Sequence, residues 1–173
     1  MNPPYETGPR AVTVRPALSQ DLDAVLAIRN HAIAHGTALW TDTPQSRAEG
    51  EAWLGAHLAR GSAYVAEHDG TVVGFGVYGP WKDYSGFRHT VENSVYVAEG
   101  HHGRGIGSTL LAVLITSARE AGLHIMIAGI ESGNAASIRL HERHGFAHAG
   151  TVREVGTKFG RWLDLTLMRL QLS

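Results

Sequence analysis

The sequence predicts a mixed α/β protein of one layered domain, not a strictly alternating doubly wound one. Three observations carry this. Strand-like and helix-like hydrophobic periods follow one another in the order β-α-α-β-β-β-α-β-α-β-β. Asp69-Gly70 joins two strand-like runs directly, the strongest short hairpin signal in the chain. The 173 residues, 43% hydrophobic and 18% charged, suffice for one sizeable core and are short for two.

Each element has its own signal. AVTVRPA (residues 11–17) is a short β-branched strand stopped by Pro16. Ser19 is placed to cap the helix DLDAVLAIRNHAIAHG, where Leu22, Val25, Leu26, Ile28 and Ile33 fall near helical spacing and Gly36 is the stop. TALWTDTP reads as a loop. A second helix is expected from Pro44, a residue favoured at the first helical position, to about Ala59, with Trp53, Leu54 and Leu58 on its apolar side. SAYVAEHDGTVVGFGVYG supplies the hairpin. PWKDYSGFRH is a loop rich in aromatics and cations, and TVENSVYVAE is a strand. The stretch HHGRGIG opens a helix through STLLAVLITSAREAG, closed by Gly122. LHIMIAGIE is a buried strand. SGNAASIRLHERHGF is a short helix capped near Asn134 and stopped by Gly145, and AHAGTVREVG and RWLDLTLMRLQL close the chain as two strands.

Composition excludes several classes. A formal net charge of -1 gives no global electrostatic case for nucleic acid or an anionic membrane. With no cysteine there is no disulfide, thiolate zinc site or cysteine nucleophile. No apolar run approaches the ~20 residues that span a bilayer. The polar, Pro-rich start MNPPYETGPR lacks a signal-peptide core. Residues 1–10 are therefore expected to be a disordered leader, 11–173 the single domain, and the location cytoplasmic. Eleven histidines raise the question of metal. His141 and His144 lie three apart, but HERH is not HExxH, and no carboxylate spacing completes a zinc site, so none is expected.

The glycine-rich segment His101–Leu111 bares backbone N–H groups at the start of a helix, as phosphate sites do. A P-loop requires Lys before the Ser, and Gly107 is followed at once by Ser108. A dinucleotide fingerprint fails in both frames, since the third glycine would fall at Ser108 or Leu110. By itself the segment also fits a ligand-free turn. R-G-I-G-S between a strand and an amphipathic helix resembles the pyrophosphate loop of the GNAT superfamily of acyl-CoA-dependent N-acyltransferases, Q/R-x-x-G-x-G/A. His102 stands in the leading position, with Gly105 and Gly107 following. The late helix is similar too: Asn134, Ser137, Ile138, Leu140, Gly145 and Phe146 fall in register with N-x-x-S/A-I-x-L-Y-x-x-x-G-F. WTDTP, YGPWKDYSGFRHTVENSVYV, GIESGNAASIRLH and VGTKFGRWLDL resemble the phosphinothricin and methionine sulfoximine acetyltransferases. The resemblance implies a mostly antiparallel twisted sheet with splayed middle strands and helices on both faces. It also implies acetyl-CoA as co-substrate and a homodimer built through the final strands.

Within that family, acetyl transfer without a cysteine implies direct attack in a ternary complex. Backbone amides of Gly103, Arg104, Gly105, Ile106, Gly107 and Ser108 would hold the pyrophosphate, with Arg104 adding charge. The resemblance implies that the main chain of Val95, Tyr96 and Val97 pairs with the pantetheine arm and that Asn134 adjoins the cofactor. Strand alternation puts Glu92, Ser94 and Tyr96 on one face, opposite Val91, Asn93, Val95 and Val97. Glu92 is the candidate base, partial burial raising its affinity for protons; spacing alone fits an exposed strand Glu or an arginine partner equally well. His141 occupies the position where many relatives carry a Tyr that protonates the leaving thiolate, and it can donate that proton or order the site. Lone helical histidines are more often surface residues. Trp40, Lys82, Asp83, Tyr84 and Arg88, with Glu92, Asn93 and Ser94, are the substrate candidates, the cations suiting a carboxylate or phosphinate. Trp81, Phe159 and Trp162 are further candidates for the pocket wall, or ordinary packing. The expected activity is acetylation of the free amine of a small amino-acid analogue such as phosphinothricin or methionine sulfoximine. Polyamine, aminoglycoside or protein N-terminal acetylation and a non-catalytic acyl-CoA sensor are the rivals.

Overall fold

The computed structural model describes residues 12–173; the expected leader at 1–10 and the first residue of the domain lie outside them. Seven strands form one sheet. They are β1 (Thr13–Pro16), β2 (Ala63–His68), β3 (Thr71–Pro80), β4 (Thr90–Val97), β5 (Ile125–Glu131), β6 (Ala147–Lys158) and β7 (Arg161–Gln171). The spatial order is β1-β2-β3-β4-β5-β7-β6, and every neighbouring pair is antiparallel except β4 with β5. Four α-helices complete the expected order: α1 (Leu22–His35), α2 (Arg47–Arg60), α3 (Ile106–Glu120) and α4 (Ala135–Arg143). The hairpin turn has Asp69 at φ 50° and Gly70 at φ 76°, the two left-handed residues that a tight twisted hairpin requires. No helix among the described residues is long and apolar enough to cross a membrane.

The helix ends differ from expectation in instructive ways. Ser19 does not cap α1; it begins a single 3-10 turn, Ser19–Asp21. Asp21 is buried there, accepting from Leu18 N at 2.8 Å and from both terminal nitrogens of Arg15, which holds its carboxyl below the usual carboxylate range. Pro44 does not start α2. The helix begins three residues later, because Ser46 and Glu49 form a reciprocal capping box that Pro44 has no side chain to offer. Gly36 follows α1 but is extended at φ -123°, so left-handed freedom is not why α1 ends there. The end is closed by Lys158, only 2% exposed, whose ammonium donates to the carbonyls of Ile33, Gly36 and Leu39 at 2.6–2.7 Å. Charged hydrogen bonds of this kind contribute about 1.5–3 kcal/mol each. They tie the α1–α2 connection to the far end of β6.

The helices pack on both faces. Leu22, Val25 and Leu54 from α1 and α2 meet Val65, Phe75 and Val77 on one face. Leu111, Leu114, Ile115 and Ala118 of α3 meet Val91, Met126, Ala128 and Met168 on the other. The α3 contact is close because β3 presents glycines to it. A methyl at Gly74 would lie 3.0 Å from the Tyr96 carbonyl and 3.3 Å from Ile106 and Leu110; one at Gly76 would lie 3.0 Å from Leu114. The bare backbone lets the N-terminal turn of α3 sit down against β3 and β4.

The middle of the sheet opens. β4 and β5 pair in parallel at only three positions, Thr90 with Ile125, Val91 with Met126 and Glu92 with Ile127. Beyond that, β4 continues to Val97 alongside β3, and β5 continues to Glu131 alongside β7. At the fork a side chain replaces the ladder. Asn93 Nδ2 donates to the Ile127 carbonyl at 3.1 Å, and Asn93 Oδ1 accepts from His141 Nε2 at 3.1 Å. The splayed middle strands expected from the family resemblance are this fork.

Candidate active site

A cavity of about 600 Å³ fills the fork. One wall is the free edge of β4 from Asn93 to Val97, and another is β5 from Ala128 to Glu131. The glycine loop and the first turn of α3 close one end, and α4 flanks the cleft with Asn134, Ser137 and His141. A second cavity of about 190 Å³ lies beside it, walled by α1, α2 and the end of β3. Glu92, Ser94 and Leu39 line both.

The glycine loop fits an anion. Gly103 and Gly105 are left-handed at φ 75° and 78°, and Gly105 is the residue preceding α3. That helix start has no side-chain cap and no acidic residue in its first turn. Its amide N–H groups and the positive end of its dipole are therefore left for a ligand. Such a terminus, opening onto a long cleft, suits a pyrophosphate with a chain attached. The Ser108 hydroxyl is already engaged, 2.8 Å from His144 Nε2, so Ser108 contributes backbone there. The Asn134 side chain accepts from Ser137 N at 3.1 Å and caps α4 as the sequence suggested.

Glu92 stands where the two cavities meet. It is exposed to both, and the protein walls beside it partly desolvate the carboxyl and raise its pKa, opposed by the charge of Lys82. Its Oε1 lies 2.9 Å from where a methyl on Gly129 would be, so the missing side chain at Gly129 makes room for the carboxylate. The face alternation holds. Glu92 and Ser94 share the small cavity and Tyr96 packs toward the α1–α2 core, whereas Val91 and Val95 join the α3–α4 side.

His141 is not bared to the cavity as a free acid. It is 4% exposed, with Nε2 on Asn93 and Nδ1 2.8 Å from the Ser137 carbonyl. Burial pulls its pKa down and the Ser137 carbonyl pulls it up. In this geometry it braces the fork. Asn93 likewise has its amide nitrogen and oxygen both occupied, so it acts as the brace's other half.

The other candidates divide cleanly. Val95, Tyr96, Val97, Gly103, Gly105, Ile106, Gly107, Ser108 and Asn134 all line the large cavity; Arg104 does not. Trp40, Lys82, Asp83, Tyr84 and Arg88 line neither cavity. The Trp40 ring lies flat on Gly156, where an added methyl would fall 2.0 Å from it, and its Nε1 donates to the Thr37 carbonyl. Tyr84 is 77% exposed, Arg88 donates to the Ser85 carbonyl, and Lys82 sits over the Trp81 ring. Of these, only Lys82 acts on the site through its field at Glu92. Sequence reading missed Arg29, Trp53, His57 and Leu39 in the small cavity, and Gly129 under Glu92. Arg29 did leave a signal, since it lies four residues from both Val25 and Ile33, on the buried side of α1. Among the described residues no group of three or more His, Cys, Asp or Glu is placed to hold a metal ion.

The family model described as the Acetyltransferase (GNAT) family matches residues 26–146. An L-methionine sulfoximine/L-methionine sulfone acetyltransferase of Pseudomonas paraeruginosa is 48% identical over 165 residues, covering 94% of this chain and 96% of the relative. A phosphinothricin N-acetyltransferase of Alcaligenes faecalis is 39% identical over 165 residues, covering 94% of this chain and 84% of its own. A solved acetyltransferase of Salmonella typhimurium with its cofactor acetyl-CoA superposes with a TM-score of 0.92 at 47% identity, over 95% of each chain.

The raised pKa of Glu92 has a thermodynamic consequence. The folded protein holds this proton more tightly than the unfolded chain, so the ionised carboxylate costs stability once pH rises through the elevated folded pKa. Glu92→Gln is expected to match the wild type in acid, where both side chains are neutral, and to be the more stable protein at neutral pH. Urea midpoints at the two pH values check this; a Gln variant less stable at neutral pH contradicts it.

Proposed function

The chain belongs to the acetyltransferase (GNAT) family and is an N-acetyltransferase; from that premise we propose that it moves the acetyl group of acetyl-CoA to the free α-amino group of a small amino-acid analogue. Methionine sulfone, methionine sulfoximine and phosphinothricin are the acceptors its relatives' names point to. The observation that carries this reading is Glu92, a carboxylate of raised proton affinity at the junction of a long anion-ended cleft and a small adjoining cavity.

In this account the large cleft takes acetyl-CoA. Its pyrophosphate lies on the amides of residues 103–108, and its pantetheine arm runs along the free edge of β4 at Val95–Val97. The acceptor enters the small cavity as an ammonium ion. Glu92 takes one proton from it, directly or through water. The free amine attacks the thioester carbonyl, the C–N bond forms, the nitrogen releases its second proton to water, and the C–S bond breaks. The thiolate leaves into the open cleft and takes its proton from solvent. A β4 amide beyond the fork donates to the carbonyl oxygen; such a donor typically lowers the barrier by about 3–4 kcal/mol. His141 and Asn93 are positioning residues that keep the fork open. Glu131, at the far end of β5, accepts from Gly133 N and from the Thr37 hydroxyl and so ties the loop before α2 to the cleft. The positive charge of Lys82 near Glu92 favours an anionic amino acid over a polyamine or an aminoglycoside.

β6 is an edge strand, exposed along most of its length, and with β7 it forms a ribbon carrying Val152, Val155, Phe159 and Trp162 at 45–67% exposure. Apolar side chains in that density suit a second copy of the chain, so the working form is a homodimer. The enzyme acts in the cytoplasm, where its acetyl donor is made.

Thiol release from acetyl-CoA, measured across methionine sulfone, methionine sulfoximine, phosphinothricin, spermidine, kanamycin and an alanine-ended peptide, tests the activity. Turnover is expected with the first three, rising with pH as Glu92 ionises; turnover confined to the others overturns the substrate. Light scattering is expected to give twice the chain mass, and a monomer at all concentrations refutes the dimer.

A further inference from the structure

The small cavity contains a charge that nothing around it explains. Arg29 projects from α1 at a core-facing position, between Val25 and Ile33, each 1% exposed. Its guanidinium carbon lies 4.3 Å from the centre of the Trp53 ring. Its Nε is buried and makes no hydrogen bond, and among the described residues no carboxylate pairs with it. Burial pulls its pKa down, so the protein holds the charge at a cost. Arg15, also only part-exposed, is given both Asp21 and Glu67. His57, which also lines the cavity, bonds the Tyr78 carbonyl through Nδ1 and is kept toward its neutral form by burial, and as a base it has no negative charge to offer. The carboxylate of Glu92 lines the same cavity, and its proton affinity responds to Lys82, not to Arg29. A half-buried cation with no anion from the protein is costly, and an anion that arrives with the ligand relieves that cost.

We propose that Arg29, lying over the Trp53 ring, is the anion anchor of the acceptor site and binds a carboxylate or phosphinate of the amino-acid substrate while Glu92 faces its amine. This rests on the reading of the acceptor as an anionic amino acid and adds the residue that selects it. A zwitterion spans the cavity with each charge opposite a complementary one, and the planar guanidinium offers two parallel donors to two oxygens. A polycation entering the same cavity meets Arg29 as a like charge, so the residue also excludes amines without an acid group.

The two sources of the anion, the α-carboxylate and a side-chain acid, separate by substrate. Wild-type and Arg29→Met proteins are compared with methionine sulfone, its α-carboxamide and phosphinothricin. Titration calorimetry into the CoA-saturated protein reads binding, and thiol release reads turnover. Arg29→Met is expected to raise KM by at least about tenfold with little change in kcat for acids that use the anchor. An equal rise for methionine sulfone and phosphinothricin assigns the α-carboxylate, and a rise for phosphinothricin alone assigns the side-chain acid. The carboxamide is expected to respond equally in both proteins. Unchanged KM for both acids, or an equal loss on the carboxamide, overturns the anchor and shows only packing on Trp53. Arg29→Gln serves if the Met variant does not fold, judged by retained acetyl-CoA binding. Acid binding that depends on Arg29 without turnover would sink the proposed reaction and leave the anchor standing. Turnover of the acids with Arg29 irrelevant would do the reverse, and neither binding nor turnover of any acid would sink both.

Discussion

Parallel pairing between β4 and β5 lasts three residues and stops at Glu92 and Ile127, and the rest of the molecule is arranged around that parting. A sheet that kept its ladder would bury the β4 edge and leave no room between α3 and α4. Because the strands part, backbone donors and acceptors of β4 beyond Glu92 face a cleft, available to an extended ligand as to another strand. Buried backbone groups at such a fork would normally cost stability. Here Asn93 satisfies the Ile127 carbonyl, and His141 satisfies Asn93, so the last rung is made of side chains. The glycines at 74 and 76 let α3 approach closely enough to place its uncapped N-terminus at the end of the same cleft.

The fork also decides what Glu92 can do. As the last residue of the shared ladder it is fixed in position by pairing on both sides, to Gly79 and to Ile127. Among the described residues no ion pair locks its side chain, and Gly129 leaves space beneath it. Desolvation raises its pKa, the direction a base needs to exchange protons near neutrality. A partly desolvated carboxylate and, among the described residues, a guanidinium with no carboxylate partner beside the same cavity are both unfavourable in the free protein.

Much of this was legible in the sequence, and the failures have physical reasons. Element order, the Asp69-Gly70 hairpin and the alternation of Glu92, Ser94 and Tyr96 depend on local periodicity, which the chain states directly. The glycine-loop residues that line the cleft stood out in the sequence because a glycine-rich, uncapped helix start leaves its amide N–H groups open. The substrate candidates divide: Glu92, Asn93 and Ser94 line the cavities, and the others do not. Trp40 looked like a pocket wall, but the fit of its ring on Gly156, over a hundred residues away, is invisible in one dimension. The cationic loop before β4 drew attention as a charge cluster, yet Asp83, Tyr84 and Arg88 stay outside both cavities. Arg29 was overlooked because its neighbours read as an ordinary amphipathic helix, although a charge in register with Val25 and Ile33 was the anomaly to notice. Gly36 and Pro44 were given local roles as helix punctuation, while a distant lysine and a serine-glutamate box perform them.

The proposed chemistry depends on the fork holding an acyl thioester beside the β4 carboxylate. A crystal structure of the protein with acetyl-CoA measures this most directly. The account predicts the pyrophosphate on the amides of residues 103–108, the pantetheine paired with the main chain of Val95–Val97, and the thioester carbon on the Glu92 side of the cleft. Electron density for the coenzyme outside the fork, or a Glu92 carboxylate turned away from the thioester in that complex, would contradict it.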